Sequence, residues 1–301
     1  MTLADEITDH DGDERSSANS DADGNVAKSE IVHIGPDNGW RAFNFAEFWR
    51  YRGLLIFLTL RDIQLRYKQT ALGIAWAVLQ PAATLIVFSL FFGKLAKLPS
   101  DGKPYPLFVL AALVPWQLFS YALTQSSNSL VAEQRLITKV YFPRLIVPVA
   151  SVVSGLVDFF VTLLLLIGML TWYGQPLGLP LLTLPLFALF ALLTALSFGL
   201  WLATLNVQFR DVRYTIPFLL QFWMFVSPVA YPSSMIKDPF YRTLYGLNPM
   251  AGVIEGFRWA LLGTTAPEWE LIAVSATVVA VLLVGGLIYF RRLERTFADV
   301  L

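Results

Sequence analysis

Residues Leu145 to Trp172 read LIVPVASVVSGLVDFFVTLLLLIGMLTW, a run interrupted by a single charge, Asp158. A helix needs about 20 predominantly apolar residues to cross about 30 Å of hydrocarbon, and this run is longer than that. A helix on the surface of a water-soluble domain would show a polar face instead. Five further runs of the same character lie on either side of it. Spans are therefore expected at about 71–93, 107–129, 145–172, 181–205, 214–231 and 270–290. The fold class that follows is all-α integral membrane, with six transmembrane helices. Pro81, Pro115, Pro148, Pro185, Pro217 and Pro228 fall inside these spans. Lipid tolerates such breaks only where neighbouring helices or water satisfy the freed backbone groups. A packed bundle is expected, not six separate anchors.

Composition agrees. The chain has 301 residues, of which 56% are hydrophobic and 15% charged, and its mean hydropathy is +0.58. Soluble domains carry about 45–50% apolar and about 25% charged residues, so there are too few charges for a water-facing shell. The absence of cysteine excludes a disulfide scaffold, and 23 Phe, 11 Tyr and 9 Trp exclude disorder for the bulk of the chain. A net charge of zero conceals two unlike parts. Residues 1–40 carry ten acidic side chains against Arg15 and Lys28, giving −8, and the rest carries +8. The segment 1–40 has no apolar run and so is no signal peptide. It reads as a disordered acidic cytoplasmic tail. Its Asp9–Glu14 stretch faintly resembles a calcium loop, but an EF-hand needs Gly at its sixth position and Glu at its twelfth. Glu14 and Ser20 stand there, so no metal site is expected.

Lys and Arg set the orientation. With both termini inside, the inner segments hold fourteen of them, including Arg61, Arg66, Lys68, Arg135 and Lys139, and the outer segments hold six. Cytoplasmic N- and C-termini follow. Residues 40–68, with the interfacial helix expected over 41–68, interleave arginines with Trp40, Phe43, Phe45, Phe48, Trp49 and Tyr51 around a run too short to cross, Leu54–Leu58. Such a segment suits a helix in the inner interface. Residues 232–269 are too long for a tight loop and too apolar for a free one. Short re-entrant helices on the outer side are expected there, split at Asn248-Pro249, with Glu255 and Arg258 spaced to pair on one helix face.

The absences restrict the chemistry. His10 and His33 both lie in the acidic tail, so the membrane body has neither His nor Cys. Imidazole and thiol catalysis and the usual zinc sites are thereby excluded. No closely spaced acidic pair offers a magnesium site. The Gly93-Lys94 pair is followed by Leu95 and lacks the first glycine of a phosphate loop. The chain is expected to be no enzyme and to bind no cofactor. Asp158 is the one ionisable residue deep in a span. It is either a functional carboxylate or a partner in a helix–helix or water-facing hydrogen bond. Trp116, Phe119 and Tyr121 in span two and Phe222, Trp223, Phe225 and Tyr231 in span five also have two readings. They serve packing and interface belts, or they offer stacking surfaces for sugar rings.

The stretch Leu60-Arg61-Asp62-Ile63-Gln64-Leu65-Arg66-Tyr67-Lys68-Gln69-Thr70-Ala71-Leu72-Gly73, followed by Trp76 and Gln80-Pro81, resembles the approach to span one in ABC transporter permeases that export bacterial polysaccharides. These are the O-antigen, capsule and teichoic-acid exporters. Tyr141-Phe142-Pro143-Arg144, Asn206-Val207-Gln208-Phe209-Arg210-Asp211-Val212, Ser227-Pro228-Val229-Ala230-Tyr231-Pro232 and Leu247-Asn248-Pro249 match in order. The resemblance covers about residues 41–295. It implies a half-transporter in a bacterial cytoplasmic membrane, paired with a second copy of itself and with two ABC ATPase subunits that hold ATP and Mg. It also implies that the loop near Ala132–Tyr141, with Glu133, Gln134, Arg135 and Lys139, meets the ATPase. Arg61, Arg66, Tyr67 and Lys68 would lie where a lipid-linked glycan gains access, and Asn248 and Pro249 would bound the exit. Nucleic acid is not an expected partner; membrane lipids are. A permease for a drug or small lipid shares this architecture, while an ion-coupled carrier is disfavoured by the lone Asp158.

Overall fold

The computed structural model describes residues 45–68, 75–176, 178–209, 211–294 and 297. The acidic segment 1–40, the 69–73 part of the first motif, Arg210 and Arg295 lie outside the described residues. Twelve α-helices are present among the described residues, with no strand. Short α1 (Phe45–Arg50) leads into α2 (Arg52–Tyr67). Next, α3 (Ala75–Phe88) continues as a π-helical turn to Leu95, followed by α4 (Tyr105–Ala132) and the short α5 (Gln134–Lys139). Helices α6 (Ile146–Ser154) and α7 (Leu156–Trp172) run in tandem. They precede α8 (Leu184–Gln208), α9 (Val212–Val226), α10 (Pro239–Tyr245), α11 (Pro249–Leu262) and α12 (Trp269–Glu294).

Among the described residues, five helical segments are long and apolar enough to cross a membrane: Ala75–Leu95, Tyr105–Ala132, Ile146–Trp172, Leu179–Gln208 and Trp269–Glu294. The sixth expected span, 214–231, is shorter than its hydropathy suggested, because α9 stops at Val226. The reason is local: a residue before proline is pushed out of the helical region, and Ser227, ahead of Pro228, is extended at φ −85°, ψ 151°. Pro81, Pro115 and Pro217 do sit inside helices. Pro185 instead occupies the first turn of α8, where its missing N–H costs nothing.

Helix α4 is the axis of the fold. It packs against α8, α6, α11, α7, α3 and α9. Seventy-eight per cent of its most apolar stretch is buried, against 17% to 33% for the other four long helices. Lipid supplies no hydrophobic drive between helices, so close backbone approach by small residues has to hold such a bundle together. Gly199 of α8 shows this: a methyl group there would lie 2.5 Å from Ser126 Oγ of α4. Large apolar side chains such as Ile86, Leu164, Phe218 and Val281 point outward, as expected where the surroundings are themselves apolar.

Both ends carry charged side chains, with Arg242 and Glu268 paired near the start of α12. Arg61, Glu133, Arg144 and Glu294 gather where α4, α8 and α12 finish, and Arg144 N donates to Glu294 Oε1 at 3.1 Å. The Arg61 end has its own core of Leu58, Leu130, Ile137, Phe142, Ile146 and Phe290. The opposite end carries α10 and α11.

Candidate functional site: a polar cleft and its clamps

The second half of α4 is unlike its first. Leu107 to Val114 is apolar and buried, whereas Ser120 to Ser129 is rich in hydroxyls and amides. Tyr121, Gln125, Asn128 and Ala132 recur every three or four residues and so share one face. Together with Arg61, Asp62, Leu65 and Arg66 of α2 and Ser151 of α6, that face lines a cleft of ≈ 460 Å³.

Two clamps hold α2 across this cleft. The Arg61 guanidinium forks onto Glu133, with Nη1 to Oε2 at 2.9 Å and Nη2 to Oε1 at 2.5 Å, and Nη2 also meets Asp62 Oδ1 at 2.8 Å. Bidentate contacts of this kind fix geometry as well as supplying energy. Hydrogen bonding to Glu133 holds the Arg61 pKa above its ordinary value, despite partial burial. At the second clamp, Arg66 forms an ion pair with Asp158 of α7, and the Tyr67 hydroxyl donates to the same carboxylate. Arg66 also lies 4.2 Å over the Tyr121 ring, a cation–π contact. Tyr121 is eleven residues from Ala132, about 16 Å along the helix at 1.5 Å per residue. The C-terminal turn of α2 thus reaches partway up the bundle.

Asp158 is therefore neutralised by a charged partner and hydrogen-bonded by a hydroxyl. Glu133, expected among the residues that meet an ATPase, is engaged by Arg61 within the chain. Gln134, Arg135 and Lys139 of α5 are exposed, while Ile137 on the same short helix is buried and anchors it. Lys68, at the C-cap of α2, is exposed.

The aromatics divide into two sets. Trp116 and Phe119 are buried, and Phe119 meets the half-buried Trp223 edge-on at 5.0 Å. Phe222 and Phe225 face outward, 62% and 52% exposed. The Tyr231 hydroxyl lies 2.9 Å from that of Tyr245 and 3.1 Å from Val226 O.

At the opposite end, Asn248 and Pro249 open α11 as sequence suggested, with Pro in the first turn. Asn248 Oδ1 accepts from Met250 N at 3.2 Å and from Trp223 Nε1 at 2.9 Å, and its Nδ2 donates to Ser227 Oγ at 3.0 Å. One amide ties the end of α9 to the start of α11. The expected Glu255–Arg258 pair does not form. Arg258, 2% exposed, donates instead to Val229 O at 3.0 Å, Tyr231 O at 3.3 Å and Phe108 O at 3.4 Å. Its guanidinium lies 3.5 Å over the Phe108 ring. Glu255 Oε1 accepts from Ser233 N at 3.4 Å. Helical spacing placed the two side chains near each other, but the irregular segment 227–232 offers Arg258 two carbonyls and α4 a third.

Sequence reasoning passed over Asp62, Gln125, Asn128 and Ser151. The signal was present in a cluster of amides and hydroxyls in the second half of span two, at helical spacing. Asn206, part of a quoted motif, donates to Ser127 O at 2.9 Å and to Asn128 Oδ1 at 3.1 Å, which pins α8 to this stretch.

Long apolar helices around a buried axis, with a polar cleft lined from α2, α4 and α6, define a polytopic membrane protein with a structured interior. The chain belongs to the ABC-2 type transporter family, whose model matches residues 53–262. It is 32% identical over 254 residues to the O-antigen export system permease protein RfbA of Myxococcus xanthus, covering 84% of this chain and 97% of that one. The protein of the same name from Klebsiella pneumoniae is 28% identical, covering 82% and 95%. The polysialic acid transport protein KpsM of Escherichia coli is 27% identical, covering 79% and 92%.

Proposed function

We propose that this chain is the transmembrane subunit of an ATP-driven exporter that moves a lipid-linked polysaccharide across the bacterial cytoplasmic membrane. One observation carries the reading: the match runs through nearly the full length of relatives named for O-antigen export and polysialic acid transport. In this reading the chain crosses the membrane six times, with α9 as the fifth span. It pairs with a second copy, and each copy docks one ABC ATPase, which binds ATP and Mg. The Arg61 end faces the cytoplasm, in keeping with the excess of Lys and Arg there, and both termini lie on that side.

Coupling to the ATPase falls to α5, through exposed Gln134, Arg135 and Lys139. Glu133 then links that helix to α2 through Arg61, so movement of α5 reaches the cleft. The tied junction of Asn248, Trp223 and Ser227 forms the outer wall of the path. Phe222 and Phe225, with Tyr231, would meet the glycan or the second copy. The buried pair Trp116 and Phe119 supports that wall from behind.

The test is to co-express the chain with candidate ABC ATPase subunits from its own genome and assay inverted membrane vesicles. Co-purification and ATP-dependent uptake of a labelled lipid-linked glycan are expected. Failure to co-purify would end the half-transporter reading. Uptake of a small lipid or drug without the glycan would replace the polysaccharide.

A further inference from the structure

Anions that approach the α2–α4 cleft find its cations already taken. Arg61 is shared by Asp62 and Glu133, and Arg66 is paired with Asp158. Three carboxylates thus face two guanidiniums, a local excess of one negative charge. Phosphate recognition ordinarily uses Arg forks free to take the oxygens in a bidentate manner. This cleft has none to spare.

The remaining lining is neutral and polar. Gln125 is exposed to the cleft, and no described residue hydrogen-bonds its side-chain amide, leaving two donors and one acceptor. Asn128 spends its amide on Thr124 O at 2.8 Å and on Asn206, yet its Oδ1 keeps a second lone pair. Tyr121 and Ser151 add hydroxyls along the same wall. Its ≈ 460 Å³ is within the size range of ligand sites. A site with paired charges and free amides suits a group rich in hydroxyls and carrying no net charge.

We propose that the cleft between α2 and α4 is a binding site for an uncharged sugar ring, and that the phosphate of a lipid-linked glycan stays outside it. This deepens the proposed export function and rests on it for the class of substrate. The head of such a substrate would displace water from Gln125 and Asn128 with α2 as a cover. The two clamps would keep the phosphate at the mouth.

The absence of cysteine from the whole chain makes the test clean. Single variants Gln125→Cys and Asn128→Cys are reconstituted with the ATPase in proteoliposomes. Each is labelled with cationic and anionic methanethiosulfonates, with rates taken relative to 2-mercaptoethanol. A focused negative field should favour the cation over the anion by about tenfold. Labelling of Gln125→Cys should also slow at least threefold, by roughly the occupancy of a weak site, with n-decyl β-maltoside and not with n-decyl phosphate. Protection by the phosphate amphiphile, protection by neither, or equal rates for the two reagents would overturn the proposal. Glycan uptake is measured in parallel on vesicles that hold the unsubstituted chain with the ATPase. Uptake without maltoside protection defeats the cleft alone, whereas protection without uptake defeats the export reading alone.

Discussion

Arg258 and Arg61 anchor the two ends of the molecule in opposite ways. Arg258 is buried, meets no carboxylate, and is held by three backbone carbonyls and an aromatic face. Arg61 is partly exposed and held by two carboxylates on side chains that can turn away. Carbonyl oxygens are fixed by their own chain path, so the Arg258 knot can open only if the segment 227–232 and the start of α4 give up their places. A side-chain ion pair can break and reform with neither helix unfolding. The end bearing α10 and α11 is built to keep its shape, and the Arg61 end is built to exchange partners.

The strongest way to break this contrast is Arg258→Met. Each buried acceptor left unpaired costs about 1–3 kcal/mol, so loss of about 3 kcal/mol or more is expected, read as loss of monodisperse protein in detergent. A stable Arg258→Met protein would show that this end is no more fixed than the other. Next in size is Asn248→Ala, which removes a helix cap and strands Trp223 Nε1, for about 2 kcal/mol. Thermal unfolding would register it, and a change under about 0.5 kcal/mol would deny Asn248 its tying role.

Asp158→Asn should cost less, about 1–2 kcal/mol, because Arg66 keeps its place over Tyr121 but loses its counter-charge. Adding Arg66→Gln should recover part of that loss, and a double-mutant cycle with zero coupling would refute the pairing. The smallest stability effect belongs to Arg61→Gln, at most about 1 kcal/mol for a partly exposed pair. Its consequence lies in coupling: ATP turnover should continue while glycan uptake falls, and the exchange Arg61→Glu with Glu133→Arg should restore uptake. Normal uptake in Arg61→Gln would remove the link between α5 and α2.

Long apolar runs were legible because hydrocarbon demands them whatever the neighbours are. The cap at Asn248-Pro249 was legible because capping is local. The stop at Val226 was written in Ser227-Pro228, yet hydropathy runs smoothly through it and hid the break. What could not be read was partnership across the chain. Arg61 meets Glu133 across 72 positions, and Tyr67 meets Asp158 across 91. Nor could hydropathy distinguish Phe119, which is buried, from Phe222, which faces outward, since core and lipid are equally apolar to a phenyl ring.

The early end of α9 bears on the membrane itself. Fifteen residues rise about 22 Å, about 8 Å short of a hydrocarbon layer of about 30 Å. The Tyr245 hydroxyl donates to Val226 O at 2.6 Å and the Tyr231 hydroxyl to the same oxygen at 3.1 Å, so the last carbonyl of the helix is satisfied where α9 finishes. With α9 as the fifth span, as proposed above, bilayer against this face would still thin, or meet the segment 227–232. Hydrophobic mismatch of this size is modest in energy but local. Acyl-chain length thereby becomes a variable that acts on α9 and spares the five longer helices.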